Sequence, residues 1–200
     1  MEKRLAILLI DIQNDFCHDG VLPAKNTFSL IQPLNRLIFW ALKRNYLCIY
    51  IRDWHPSNHC SFNTFGGTWP PHCIQGTHGA NFTDGILVPD SSYIIDIEKK
   101  PDQSNFTYSA FENSSLKEDL HRLKINHLAV AGIATEYCVK ATVLEGLKFG
   151  FSFTVFSDLV RPINMMPDDD LKALDEMKEA GAEIQISDEW IRSIELFSIS

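Results

Sequence analysis

Residues 127–146 read HLAVAGIATEYCVKATVLEG, and most of the fold can be inferred by working out from them. The apolar run His127–Ala131 has the length of a buried strand, and from about Tyr137 the apolar positions recur at helical spacing. Gly132 and the small residues after it form the junction, so the stretch predicts strand, tight turn, helix. Cys138 falls in the first turn of that helix. Free cysteine is among the most buried residue types, so core filler is one reading. A helix N-terminus also stabilises a thiolate, and flanking small residues let backbone N–H groups approach a ligand, so a nucleophile is the other. The local sequence leaves the two evenly balanced.

Similar alternation runs along the whole chain. Strands are predicted at Leu5–Ile10, Leu47–Ile51, Tyr93–Ile97, His127–Ala131, Ser152–Phe156 and Glu183–Ile186. Helices are predicted at Leu30–Arg44, Ser114–Leu123, Tyr137–Phe149 and Asp168–Ala180. Strands alternating with amphipathic helices imply an α/β fold: a three-layer α/β/α domain over residues 1–200, with a six-stranded, mostly parallel sheet in Rossmann-like order. Residues 54–92 break the rhythm. They are rich in Gly, Pro, His and aromatics, and so long a connection within a domain is expected to be a binding loop. The tail from Asp188 to Ser200 has no assigned role.

Composition narrows the function. The 200 residues carry a net charge of −8, which argues against a nucleic-acid or anionic-membrane surface. The run Leu5–Ile10 is too short for a signal peptide core, and no stretch has the length of a membrane span. Five cysteines in no framework spacing fit a reducing setting, so a cytoplasmic protein is expected. A small-molecule partner is expected, and a homo-oligomer remains open.

In an open parallel sheet, ligands gather beyond the carboxyl ends of the strands. Asp11 follows the first predicted strand, Asp53 and His55 the second, Lys99 the third and Cys138 the fourth. A thiol needs a base, and Asp11 is at the correct end to serve, with Lys99 supporting both anions. Asp53 and His55 are i and i+2 on an extended segment, so both side chains point the same way and can share an ion. His59 and His72 follow in the loop as further ligands. An Asp/His set suits zinc, iron or manganese with one position left open. A closed zinc knot from His59-Cys60 and His72-Cys73 is the weaker alternative, since it lacks C-x-x-C spacing.

Five strings in order, LLIDIQNDFC (8–17), RDWHPSNHCSF (52–62), TWPPHCIQGTHGANF (68–82), YSAF (108–111) and GIATEYCVKAT (132–142), resemble the nicotinamidase/pyrazinamidase branch of the isochorismatase-like cysteine hydrolases. The resemblance implies that Cys138 is the nucleophile, Asp11 the general base and acid, and Lys99 the third catalytic residue. Lys100 is the competing lysine, because the glycine that commonly follows the family lysine is missing here. Asp53, His55 and His72 become the metal ligands, with His59 the candidate fourth, and zinc the expected ion ahead of iron or manganese. Phe16, Trp69, Tyr108 and Tyr137 are expected to wall the ring pocket; Tyr137 stands where some relatives carry histidine. A cis peptide is implied at Ile133–Ala134, and the N–H groups of Ala134 and Cys138 are implied oxyanion donors. The implied activity is hydrolysis of nicotinamide, and of pyrazinamide, through a cysteine thioester, in NAD salvage. The alternatives are another amidase or hydrolase on the same scaffold and a non-catalytic metal- or ligand-binding relative.

Overall fold

The computed structural model describes residues 4–90, 92–101 and 108–197. Six strands form one sheet: β1 (Leu5–Ile10), β2 (Leu47–Trp54), β3 (Tyr93–Glu98), β4 (His127–Ile133), β5 (Ser152–Arg161) and β6 (Glu183–Gln185). Their order is β3-β2-β1-β4-β5-β6, and every pairing is parallel. The helices are α1 (Ile31–Lys43), α2 (Leu116–Arg122), α3 (Lys140–Lys148), α4 (Asp169–Glu179) and α5 (Ser187–Phe197).

Strand alternation divides the core in two. Ile7 and Leu9 of β1 face a cluster with Leu34, Leu37 and Ile38 of α1 and Trp190 of α5. Ala6, Leu8 and Ile10 face the opposite cluster, with Leu120 of α2, Val143 of α3 and Met177 of α4. A sheet covered on both faces needs strands apolar on both sides, which is why β1 reads as an unbroken apolar run. On α1, Leu34, Leu37, Ile38 and Ala41 make the i, i+3, i+4, i+7 stripe that buries one face.

Beyond extensions of β2 to Trp54 and of β4 to Ile133, three elements differ from expectation. β5 continues to Arg161 rather than stopping at Phe156, because the polar pair Ser157–Asp158 interrupts the apolar run without ending the strand. Asp158 there accepts hydrogen bonds from the backbone N–H (2.8 Å) and hydroxyl (2.6 Å) of Ser187 at the start of α5. The helix expected from Tyr137 begins instead as a π-helical turn, Thr135–Val139, so Cys138 does not sit in a regular first α-turn. The unassigned tail contains α5. Trp190 packs against Trp40 (5.3 Å) and Phe156 (5.1 Å), and Glu195 accepts hydrogen bonds from Trp40 Nε1 (3.2 Å) and Arg44 (2.9 Å). The side chain of Phe197 and residues 198–200 lie outside the described residues. No helix among the described residues is long and apolar enough to cross a membrane.

Strand order reverses between β1 and β4, the place where an open α/β sheet opens a crevice at its carboxyl edge. Asp11 and the Cys138 turn flank that crevice. Gly132 lets them come close: a Cβ there would stand 2.1 Å from the Ile10 carbonyl oxygen, and its φ is +141°.

Candidate active site

Asp11 is the first residue beyond β1. Its φ is 52°, a left-handed turn that aspartate tolerates, and its N–H donates to the Ile51 carbonyl (3.1 Å). The turn swings the carboxyl over the sheet edge, where it accepts a hydrogen bond from the Cys138 thiol. Burial, then the neighbouring Asp53 charge, pushes the Asp11 carboxyl well above the ordinary carboxylate range; the Cys138 bond and Lys99 pull the other way. Burial likewise pushes the Cys138 thiol well above its usual value, helped by the charges of Asp11 and Asp53 and opposed by Lys99. Burial therefore favours the protonated form of both groups, and the Lys99 charge opposes it.

Cys138 sits in the π-turn, where the Ala134 carbonyl accepts from both Tyr137 and Val139 (3.1 Å each). The Ile133–Ala134 peptide is cis, as expected. Of the two competing lysines, Lys99 is buried and lines the cleft, whereas Lys100 is exposed. The Lys99 ammonium pairs with Glu112 (3.4 Å), which follows the YSAF string.

The long loop is fastened to the residues after β1. Gln13 is fully buried; its amide donates to the carbonyls of Asp53 and Ala80 (2.9 Å each) and its oxygen accepts from the Asp53 N–H (2.8 Å). Asn14 and Asp15 donate to Asn81 (2.9 Å) and Gly79 (3.0 Å), and Asp15 Oδ2 accepts from the Cys73 N–H (2.7 Å). His55 exchanges backbone bonds with the 73–75 stretch, through Cys73 (3.0 Å) and Gln75 (2.9 Å). Those bonds carry His72 back to the end of β2.

Asp53, His55 and His72 thus meet as one buried set whose donor atoms all lie within 4.8 Å of one another. Asp53 Oδ2 is 3.3 Å from His55 Nδ1 and 3.6 Å from His72 Nε2. Two ligands each ~2.1 Å from a tetrahedral ion would stand ~3.4 Å apart, so this spacing suits a shared cation. His72 Nδ1 donates to the Pro70 carbonyl (2.7 Å), leaving the Nε2 lone pair turned inward. His55 Nδ1 is buried with no hydrogen-bond partner. Burial holds His55 down to about 4, so it presents a neutral imidazole. Burial opposes ionisation of Asp53, yet the neighbouring His55, His72 and Lys99 outweigh it and keep the carboxyl below the usual range. A carboxylate beside two imidazoles is the donor chemistry of a divalent metal, and the residues fit one. His59 packs on His55 (4.6 Å) but accepts at Nδ1 from the Ser61 N–H (3.2 Å) and stays outside the three. Neither Cys60 nor Cys73 joins the set, against the zinc-knot alternative.

Around these groups lies a narrow cleft of two adjoining lobes, which share Asp53, Trp69, His72, Tyr108 and Cys138. Asp11 and Lys99 open into one lobe, Phe16 and Tyr137 into the other. Trp69 Nε1 donates to the Tyr108 hydroxyl (3.0 Å), and both rings pack edge-on against Tyr137 (5.2 Å each). Phe16 lies against His72 (5.4 Å). The residues expected at the site therefore surround one cleft, except His59, which is buried behind His55, and Ile133, which lies in the core beneath Ala134.

Gln13, Glu112 and Glu136 escaped the sequence reading. Each acts on partners remote in the chain, and polar residues near strand ends are too common to single out.

Residues 5–189 match the isochorismatase domain. The chain is 35% identical to the nicotinamidase of Escherichia coli, over 92% of this chain and 96% of that protein. It superposes on the pyrazinamidase of Pyrococcus horikoshii in complex with zinc with a TM-score of 0.85 and 38% identity, covering 92% of this chain and 99% of the other. PnC1 from L. infantum in complex with nicotinate gives a TM-score of 0.82 and 30% identity, covering 93% and 94%.

Proposed function

The chain belongs to the isochorismatase family, and from that premise we propose that it is a metal-dependent nicotinamidase, converting nicotinamide and water to nicotinate and ammonia. The observation that carries this reading is the union, in one cleft, of the Asp11–Cys138 pair and Lys99 with the Asp53/His55/His72 donor set. Similarity to a nicotinamidase, a zinc-bound pyrazinamidase and a nicotinate complex supports a pyridine or pyrazine carboxamide as substrate.

Asp53, His55 and His72 would hold a divalent ion, zinc being the ion of the solved pyrazinamidase, with iron and manganese open to the same donors. Bound there, the ion supplies a Lewis-acid contact for a ring nitrogen. Trp69, Tyr108, Tyr137 and Phe16 wall the ring in and exclude water. Asp11 takes the proton of the Cys138 thiol as sulfur attacks the carboxamide carbon. The N–H groups of Ala134 and Cys138 receive the oxyanion, a type of contact worth ~10²–10³ in turnover. Asp11 returns the proton to the departing nitrogen, which leaves as ammonia. It then takes a proton from water as that water attacks the thioester, and protonates the sulfur as nicotinate departs. Lys99, with Glu112 behind it, offsets the negative charge through each step. The product feeds NAD salvage in the cytosol.

Ammonia release from nicotinamide is the test. Cys138→Ala should lower it by at least about 10³-fold while nicotinate binding, followed by calorimetry, stays near wild type. Full turnover by Cys138→Ala would sink the mechanism.

A further inference from the structure

Glu136 is buried beside the nucleophile, yet it takes no part in the chemistry above. Its Oε1 accepts hydrogen bonds from the backbone N–H groups of Ile163 (3.0 Å) and Asn164 (2.5 Å). Those residues follow the end of β5 at Arg161, where the sheet no longer holds the chain. Asn164 has a φ of 52° and exchanges bonds with Asp170 at 3.0 and 3.1 Å, which fixes the far side of the segment. On its near side, the carboxylate of Glu136 fixes it to the turn that carries Cys138. Ile163 lines the same lobe as Ala134, Tyr137 and Cys138.

We propose that Glu136 is a positioning residue that sets the wall of the substrate cleft. By clamping the Ile163–Asn164 backbone to the nucleophile turn, it fixes the gap between Ile163 and Cys138 and so governs how tightly a small planar amide is held. Glu136 acts through Ile163 and touches no reacting atom. A carboxylate suits the task because one oxygen can accept from two adjacent N–H groups, and such charge-assisted bonds are stronger than neutral ones. The effect should therefore fall on substrate binding and leave the attack at sulfur, which depends on Asp11 and Lys99, nearly intact.

The inference rests on the nicotinamidase reading for its kinetic arm and is independent of it for its structural arm. Glu136→Ala should raise KM for nicotinamide about tenfold with kcat within about threefold, because binding common to ground and transition states is lost. Ile163→Ala should do the same, and the double variant should be no worse than either single one, since both remove one interaction. Glu136→Gln keeps an acceptor oxygen and should restore KM to within about threefold of wild type. In hydrogen exchange, the amides of Ile163 and Asn164 should exchange at least about tenfold faster in Glu136→Ala and not in Glu136→Gln. A loss of kcat at unchanged KM, additive single effects, or unchanged exchange at those amides would each overturn the proposal. If the wild-type protein released no ammonia from nicotinamide, the nicotinamidase reading would fall, and the exchange comparison would still decide for or against the clamp.

Discussion

Asp11 and Cys138 are costly residues to bury together, and that cost is tied to their use. Burial raises both groups, so each is held toward its protonated form until a substrate arrives. Because the Asp11 carboxyl lies above its unfolded value near 3.8, stability drawn from its protonated form is full below that value and is lost as pH rises through the folded one. Above that folded value the ionised group weakens the fold. Asp11→Asn should lower kcat by about 10²–10⁴-fold and yet unfold in urea no earlier than wild type. The profile of kcat/KM from about pH 4 to about pH 9 should show an acid limb above the ordinary carboxylate range, falling as Asp11 takes up its proton. A limb at the unperturbed value would mean that Asp11 is solvated when it acts. The residues of this pair, and the neighbouring Asp53 and His55, were readable because each lies at or beyond the carboxyl end of a strand. Choosing Lys99 over Lys100 was not, since burial of adjacent lysines depends on strand register: Asp53 pairs with Ile97 and Trp54 with Glu98, and Lys99 then turns inward.

The turn after β4 illustrates what a local pattern can and cannot convey. A strand, a glycine and a run of small residues announced a tight reversal, and the cis peptide at Ile133–Ala134 followed from the family resemblance. The wider π-turn was not announced, because its Ala134–Val139 bond leaves no mark in residue spacing. Gly132 makes the arrangement testable. Its φ of +141° and the 2.1 Å from an added Cβ to the Ile10 carbonyl oxygen leave no room for a side chain. Gly132→Ala should destabilise the protein by about 2–4 kcal/mol in urea unfolding and should depress kcat as well, because the strand that moves carries the nucleophile. A variant of unchanged stability would show that β4 can shift away from β1 without cost. The extension of β5 beyond Phe156 was hidden for a related reason. Ser157 and Asp158 look like a strand end until the partner of Asp158, the Ser187 cap of α5, is known.

Across the molecule, one edge of one sheet gathers what the chain spreads over more than a hundred residues. The strand order β3-β2-β1-β4-β5-β6 sets β1 and β4 side by side, so Asp11 meets Cys138 although the sequence separates them widely. The parallel α/β plan was legible from alternating patterns, and the long loop was legible as a binding segment from its aromatic and histidine content. Its path was not legible, because it depends on bonds from Gln13 and Asp15 to backbone groups far along the chain. The tail was equally opaque: α5 is held by Trp190 against Trp40 and Phe156, contacts that only the folded sheet creates. The central claim joins the cysteine chemistry to the Asp53/His55/His72 donor set, and it is tested by ammonia release from nicotinamide by the full chain, measured as prepared, after chelation, and after zinc is restored. Turnover that falls at least about tenfold on chelation and returns with zinc is the predicted result. Turnover that chelation leaves untouched in protein verified as metal-free, or none from nicotinamide in any state, would contradict it.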